Sequence, residues 1–252
     1  MIDLTYAEKN FDEYTKKYDM TNIRIKRKYN HSYRVEKLST SIAESLNLSS
    51  DKIKLATLIG LLHDIGRFEQ LKQFNTFRDS ESFDHGDFGA NYLKDNLRDF
   101  IETDIYDSII TTAVKNHNKF QIDEKVKDDE LLFSKIIRDA DKIDILYETT
   151  CIFWENEENI INNSVISDYA YNSIKNLELI KYTKDNRLEK LDGIIKGLAF
   201  IFDINYKKSF EILKETDYIN KIINRFNYKD FKTKERMREI QILLNDYIDS
   251  KI

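Results

Sequence analysis

The residues that could do chemistry here are four histidines and a few aspartates: His31, the doublet His63-Asp64, His85, His117, and Asp139 or Asp141. The doublet closes an apolar run that starts at Ile53. An imidazole beside a carboxylate on a buried segment is costly unless something compensates it, and buried charges are paired or coordinate metals. His31, His85 and His117 each stand in a separate segment that reads as a helix. The expectation is that these helices converge their polar residues on one metal centre.

The positioning elements follow from spacing. Tyr6, Phe11, Tyr14 and Tyr18 give residues 5–20 an apolar stripe, and Val35, Leu38, Ile42 and Leu46 give 30–47 a clearer one with His31 on it. Ser49-Ser50-Asp51 offers an N-cap to the next segment. That segment carries Ile53, Leu55, Ala56, Leu58, Ile59, Leu61, Leu62 and Ile65, apolar on nearly every side, which predicts a central buried helix. Residues 68–84 sustain no period and read as a loop or broken helix over the site. A helix is predicted from His85, with Phe88, Gly89, Tyr92 and Leu93 on its face, and Gly89 suggests a close helix–helix approach. Another runs over 101–117 and ends on His117. Lys115 and Lys119 flank that histidine, as solvated lysines near a helix C-terminus do. Over 129–148 two stripes compete, one holding Asp139 and the other Asp141 and Asp144; periodicity alone leans to Asp139.

Composition points the same way. The 252 residues include no proline and six glycines, where proline usually supplies roughly 5%. Long helices joined by short polar turns are the expectation, an all-α fold. The 41% apolar content suffices for a sizeable core, and no linker or repeat divides the chain, so residues 1–252 read as one unit. After Cys151 the sequence has no histidine and continues as amphipathic segments near 188–202, 206–213, 218–226 and 235–248. These predict a helical portion over 151–252 packed on the core. The net charge of −5 is spread along the chain without a basic block, which gives no case for a nucleic-acid polymer as partner. The single cysteine, Cys151, excludes an intramolecular disulfide and a cysteine zinc site, and is expected as a small core residue. With no signal-like start and no apolar run near the roughly 20 residues of a membrane span, the expectation is a cytoplasmic protein.

The ordered set, with His31 in Asn30-His31-Ser32-Tyr33-Arg34-Val35, the doublet closing an apolar helix, and Asp141 followed by Lys142, resembles the HD superfamily of metal-dependent phosphohydrolases over residues 20–150. The resemblance implies an all-α HD helical bundle with additional C-terminal helices. It also implies His31, His63, Asp64 and Asp141 as basic metal ligands, Asp141 being preferred to Asp139 because a basic residue typically follows the family's last ligand. His85 and His117 resemble the extra histidines by which HD-GYP-related members hold a second metal. Ile65-Gly66-Arg67 is similar to that branch's Ile-Gly-Lys, while the Gly-Tyr-Pro signature is absent, so its cyclic-di-GMP specificity does not carry over.

The implied cofactor is one or two divalent ions, with Mn, Fe, Zn, Ni and Mg not distinguished by the ligand types. The implied reaction hydrolyses a phosphomonoester or phosphodiester of a small, nucleotide-like substrate. A bound ion lowers the pKa of its water to about 7, and two ions clamp nucleophile and substrate oxygens. Asp64 would bridge the ions, Arg67 and Lys142 would act on the phosphate, and Lys115 is a further phosphate-binding candidate. Two other readings stand beside this one: an HD-fold di-iron oxygenase, and a non-catalytic nucleotide- or metal-sensing module. Tyr169, Tyr171 and Tyr182 are candidates for a homodimer contact, and no membrane partner is expected.

Overall fold

A computed structural model describes residues 2–151, 157–181 and 190–252, which are helical with no strand among them. The chain divides into two compact units, Met1–Asp141 and Lys142–Ile252.

The first unit opens with α1 (Leu4–Thr15), capped by the Asp3 side chain, and α2 (Ile23–Ser45), capped by Asn22. Next comes α3 (Ser50–Leu62), capped by Ser49 as the sequence predicts, with every residue from Leu55 to Leu62 buried. Its central place has a local cause at Gly60. A Cβ there would lie 2.8 Å from the Glu36 Cα, so only glycine lets α2 and α3 pack backbone to backbone. The chain then runs straight into α4 (Ile65–Phe74), where a loop or broken helix is the sequence expectation. Ile65, Phe68 and Leu71 are buried at intervals of three, with the more exposed Glu69 and Lys72 turned the other way. The charges on the outer face hide a helical stripe too short to stand out. Asn75, in the left-handed region at φ 52°, ends α4, and a connection with one 3-10 turn at Asp79–Glu81 follows.

Helix α5 (His85–Asn96) begins at His85 with Asp84 as its N-cap, and α6 (Asp107–Asn116) ends just before His117. The close helix–helix approach falls at Gly66 and not at Gly89. A Cβ on Gly66 would meet the His85 carbonyl at 2.5 Å, whereas one on Gly89 would find ordinary contacts of 3.4 Å and beyond. Helix α7 (Asp128–Cys151) completes the unit and carries the division at Asp141–Lys142 within it. Cys151, expected in the core, is exposed at the last described residue of α7.

The second unit holds α8 (Glu158–Asn162), α9 (Asp168–Lys175), α10 (Lys190–Leu198), α11 (Lys207–Thr216), α12 (Tyr218–Ile223) and α13 (Phe231–Asp249). Its core includes Ile174, Leu191, Ile195, Leu198, Ile240 and Leu244. The buried Asp192 carboxylate accepts from the Ser167 amide at 3.0 Å, tying the start of α9 to α10. Of the tyrosines weighed for a dimer contact, Tyr169 is exposed, Tyr171 is half-buried and donates to Glu239, and Tyr182 lies outside the described residues, as do 152–156 and Leu188.

Candidate metal centre

Six side chains of the first unit converge. On α2, His31 is fully buried, and the doublet sits between helices, His63 ending α3 and Asp64 preceding α4. An aspartate at an N-cap ordinarily bonds the first-turn amides. Asp64 makes no such bond, and its carboxylate turns inward. His85 comes from the first turn of α5, His117 from the end of α6, and Asp141 from α7.

Asp64 stands between two sets of imidazoles. Its Oδ2 lies 3.5 Å from His31 Nε2 and 3.7 Å from His63 Nε2, and its Oδ1 lies 3.4 Å from both His85 Nε2 and His117 Nε2. Asp141 Oδ1 joins the first set at 3.1 Å from His31 Nε2 and 3.6 Å from His63 Nε2. Of the two aspartates weighed, Asp141 is therefore the one beside His31 and His63. Asp139 is also fully buried, and α7 is buried on every side from Ile136 to Ala140, which is why periodicity could not discriminate.

The ring tautomers follow from the outer nitrogens. His63 Nδ1 lies 2.8 Å from the Gly60 carbonyl and His117 Nδ1 2.6 Å from the Val114 carbonyl. His85 Nδ1 lies 2.7 Å from Asp79 Oδ2. A carbonyl or carboxylate oxygen accepts, so each ring donates there and a neutral ring keeps a lone pair on Nε2. Burial favours the neutral form. It pushes His85 down to about 4, aided by Arg67 and opposed by Asp79, and it lowers His63 against the pull of Asp64 and Asp141. Yet His85 and His117 bring their Nε2 atoms to 3.0 Å, and His31 and His63 bring theirs to 3.2 Å. In the first pair, rings that donate from Nδ1 and are neutral have no proton to share between these nitrogens. Facing lone pairs at that distance make a donor set for a cation, and these residues fit one.

The carboxylates are ready for the same role. Burial alone would raise both, but Lys28, with His63, His117 and Arg67, outweighs it at Asp64, and His31 and His63 do so at Asp141, holding each well below the usual carboxylate range. The ligand atoms of His31, His63 and Asp141 lie within 4.8 Å of one another, as do those of His63, Asp64 and His117.

The basic residues singled out in the sequence fall in different places. Arg67 Nε stands 3.7 Å from Asp64 Oδ1, while its Nη1 donates to the Phe77 carbonyl at 2.6 Å, to Gln70 Oε1 at 2.7 Å and to Asp79 Oδ1 at 3.1 Å. Lys142 belongs to the second unit, where its ammonium pairs with Asp203 at 2.8 Å. Lys115 is exposed on α6, lining a surface depression with Asp87, Asn91, Lys94 and Thr112. No described contact joins it to the converging ligands.

Three participants escaped the sequence reading. Lys28 is buried and places Nζ 2.7 Å from Asp64 Oδ2; it precedes His31 by three residues, a spacing that puts both on one helix face. Asp79 is the carboxylate partner of His85, and nothing in the connection's sequence marks it. Arg138, buried at 2% exposure, donates through Nη1 to the carbonyls of Asn116 at 2.8 Å and Lys119 at 2.6 Å. It closes the C-terminus of α6 with a positive charge, where helix carbonyls lack partners, and so fixes the turn that bears His117.

A family model described as HD domain matches residues 29–146, a span that takes in all six converging side chains. Residues 29–146 are an HD domain. No curated protein and no solved structure matches it. HD domains form a superfamily of metal-dependent hydrolases that bind divalent ions, and the clustered imidazoles and carboxylates of this HD domain have the chemistry to hold them. Among the described residues no helix is long and apolar enough to cross a membrane.

Proposed function

We propose that this HD domain is the catalytic core of a phosphohydrolase that cleaves a phosphomonoester or phosphodiester bond of a small, nucleotide-like substrate. The observation that carries the reading is the division of one carboxylate between two imidazole sets: Asp64 Oδ2 faces His31 and His63, and Oδ1 faces His85 and His117. Such a carboxylate suits a pair of ions held close together, the arrangement used for in-line displacement at phosphorus. Divalent ions bound there supply Lewis acidity and a water acidified to a pKa of about 7.

The chain's own groups do the rest. His31, His63 and Asp141 form one donor set, His85 and His117 the other, and Asp64 joins them. Lys28 and Arg67, the cations nearest Asp64, meet the phosphoryl oxygens, Lys28 as a point charge and Arg67 through the Nη2 edge that its described hydrogen bonds leave unused. Lys28 takes the part the sequence assigns to Lys142 and Lys115. In the reaction the water oxygen bonds to phosphorus, the ester P–O bond breaks, and the departing oxygen takes up a proton.

Purified protein supplied with Mn²⁺ is expected to release phosphate or a nucleotide product from at least one member of a panel of nucleotides and model phosphoesters, without oxygen. Asp64→Ala abolishes that release. Inertness across the panel overturns the reading. Oxygen consumption with a mixed-valent iron signal moves the assignment to a di-iron oxygenase, and ligand binding without turnover moves it to a sensing module.

A further inference from the structure

Helix α2 carries more than a ligand. Arg24, Lys28 and His31 follow one another at intervals of four and three, which stacks them along a single face. Burial deepens along that row: Arg24 is half-exposed, Lys28 is buried at 9% exposure and His31 at 0%. At a rise of about 1.5 Å per residue, the row spans about 10 Å from the surface to the metal centre. Arg67 on α4 faces it. All three cations lie against one ring, Phe77, whose centroid is 5.0 Å from the Arg24 guanidinium, 5.7 Å from Lys28 Nζ and 5.7 Å from the Arg67 guanidinium.

These cations retain donors. Arg24 spends Nη1 on the carbonyl and side chain of Asn75, both at 3.0 Å, and its Nε and Nη2 make no described side-chain bond. Arg67 has a buried Nε with no hydrogen-bond partner. The Lys28 ammonium uses one contact, to Asp64. Three like charges around one phenyl ring repel, and the ring offsets only part of that. A row of unfilled donors that begins at the surface and ends at Asp64 suits an anion that is itself extended.

We infer that the ligand of this site is a chain of linked phosphates, with its reacting phosphoryl group at Lys28 and Arg67 and a further phosphate held by Arg24 through its guanidinium fork. The inference rests on the phosphohydrolase reading and narrows it to polyphosphate esters or inorganic polyphosphate, as against single phosphomonoesters.

The test is calorimetric titration of the Mn²⁺-loaded protein, with free Mn²⁺ in excess so that the ligands do not strip it. The ligands are orthophosphate, tripolyphosphate, a nucleoside monophosphate and the matching triphosphate. Each longer ligand is expected to bind at least about tenfold more tightly than its shorter counterpart, as a charge-assisted bidentate contact would give. Arg24→Ala should collapse that ratio towards one, Arg24→Lys should restore part of it, and Lys26→Ala, an exposed change on the same helix, should leave it intact. An advantage of the nucleotide pair over the inorganic pair identifies the chain as a nucleotide's. Equal affinities for long and short ligands overturn the inference, as does a ratio that survives Arg24→Ala. Either result alongside metal-dependent phosphate release leaves the phosphohydrolase reading standing. A preserved ratio effect without turnover does the reverse.

Discussion

Asp79 sits in a connection with no periodicity, and its carboxylate accepts from His85 Nδ1 at 2.7 Å, from Gln70 Nε2 at 2.8 Å and from Arg67 Nη1 at 3.1 Å. A carboxylate behind a ligating imidazole fixes its tautomer and raises its basicity, and losing it typically costs about 10–100-fold in metal affinity. Asp79→Ala is therefore expected to weaken metal binding at the His85–His117 set while His31, His63 and Asp141 keep theirs; metal analysis after dialysis would read the loss as one equivalent. The imidazole itself sets an acid limit. Because His85 is held down to about 4 from its ordinary 6.5, the unfolded chain binds more protons than the folded one between those values, so stability falls as pH drops through that window. The lowered Asp64 and Asp141 act in the same direction at still lower pH. Melting temperatures of the metal-free protein from pH 7 to pH 4 should decline accordingly, and His85→Gln should flatten the upper part of the decline. At this scale the converging residues were legible because imidazoles are few and their residue type announces the chemistry. Lys28 was open to a reading of helix faces. Asp79 was not, since its contact exists only once the connection folds back over α4 and α5.

Among the elements, α3 was readable from its all-round apolarity and α5 from its start at His85, while α4 was hidden by charges on its outer face. Glycines Gly60 and Gly66 mark crossings that no propensity scale ranks. A methyl at Gly60 would press on the Glu36 backbone at 2.8 Å, and overpacking of this kind costs about 1–3 kcal/mol. Gly60→Ala should lower the unfolding free energy measured by urea denaturation by that amount and should also spread His31 from His63, which α2 and α3 bring to 3.2 Å. Arg138 is the stronger case. Replacing it with Met would strand several carbonyls at the end of α6, at a cost of about 1–3 kcal/mol. Equilibrium unfolding should show that loss, and metal titration should show weaker binding through His117, because the described Arg138 hydrogen bonds hold the backbone that bears it. No sequence pattern separates a buried arginine that closes a neighbouring helix from one that faces solvent, so this connection was beyond reach.

For the molecule as a whole, the helical class followed from a chain with no proline and six glycines, whereas the division at Asp141–Lys142 falls inside α7 and so offers no turn residues to read. With donor groups from α2, α5, α6, α7 and the α3–α4 junction, ion binding at the proposed centre would stabilise the first unit. Ion at 100 times its dissociation constant adds about 2.7 kcal/mol, or about 5–10 °C in melting temperature for a protein of this size. Scanning calorimetry with Mn²⁺ and then with chelator should show that rise and its reversal, and Asp64→Ala should remove it. One helix also limits how this protein can vary. Arg138 grips the end of α6 and Asp141 faces His31 from the same stretch of α7, three residues apart. Each residue turns a helix by about 100°. An insertion or deletion between them would aim one of the two side chains away from its partner, so this stretch of α7 can exchange side chains but cannot change its length.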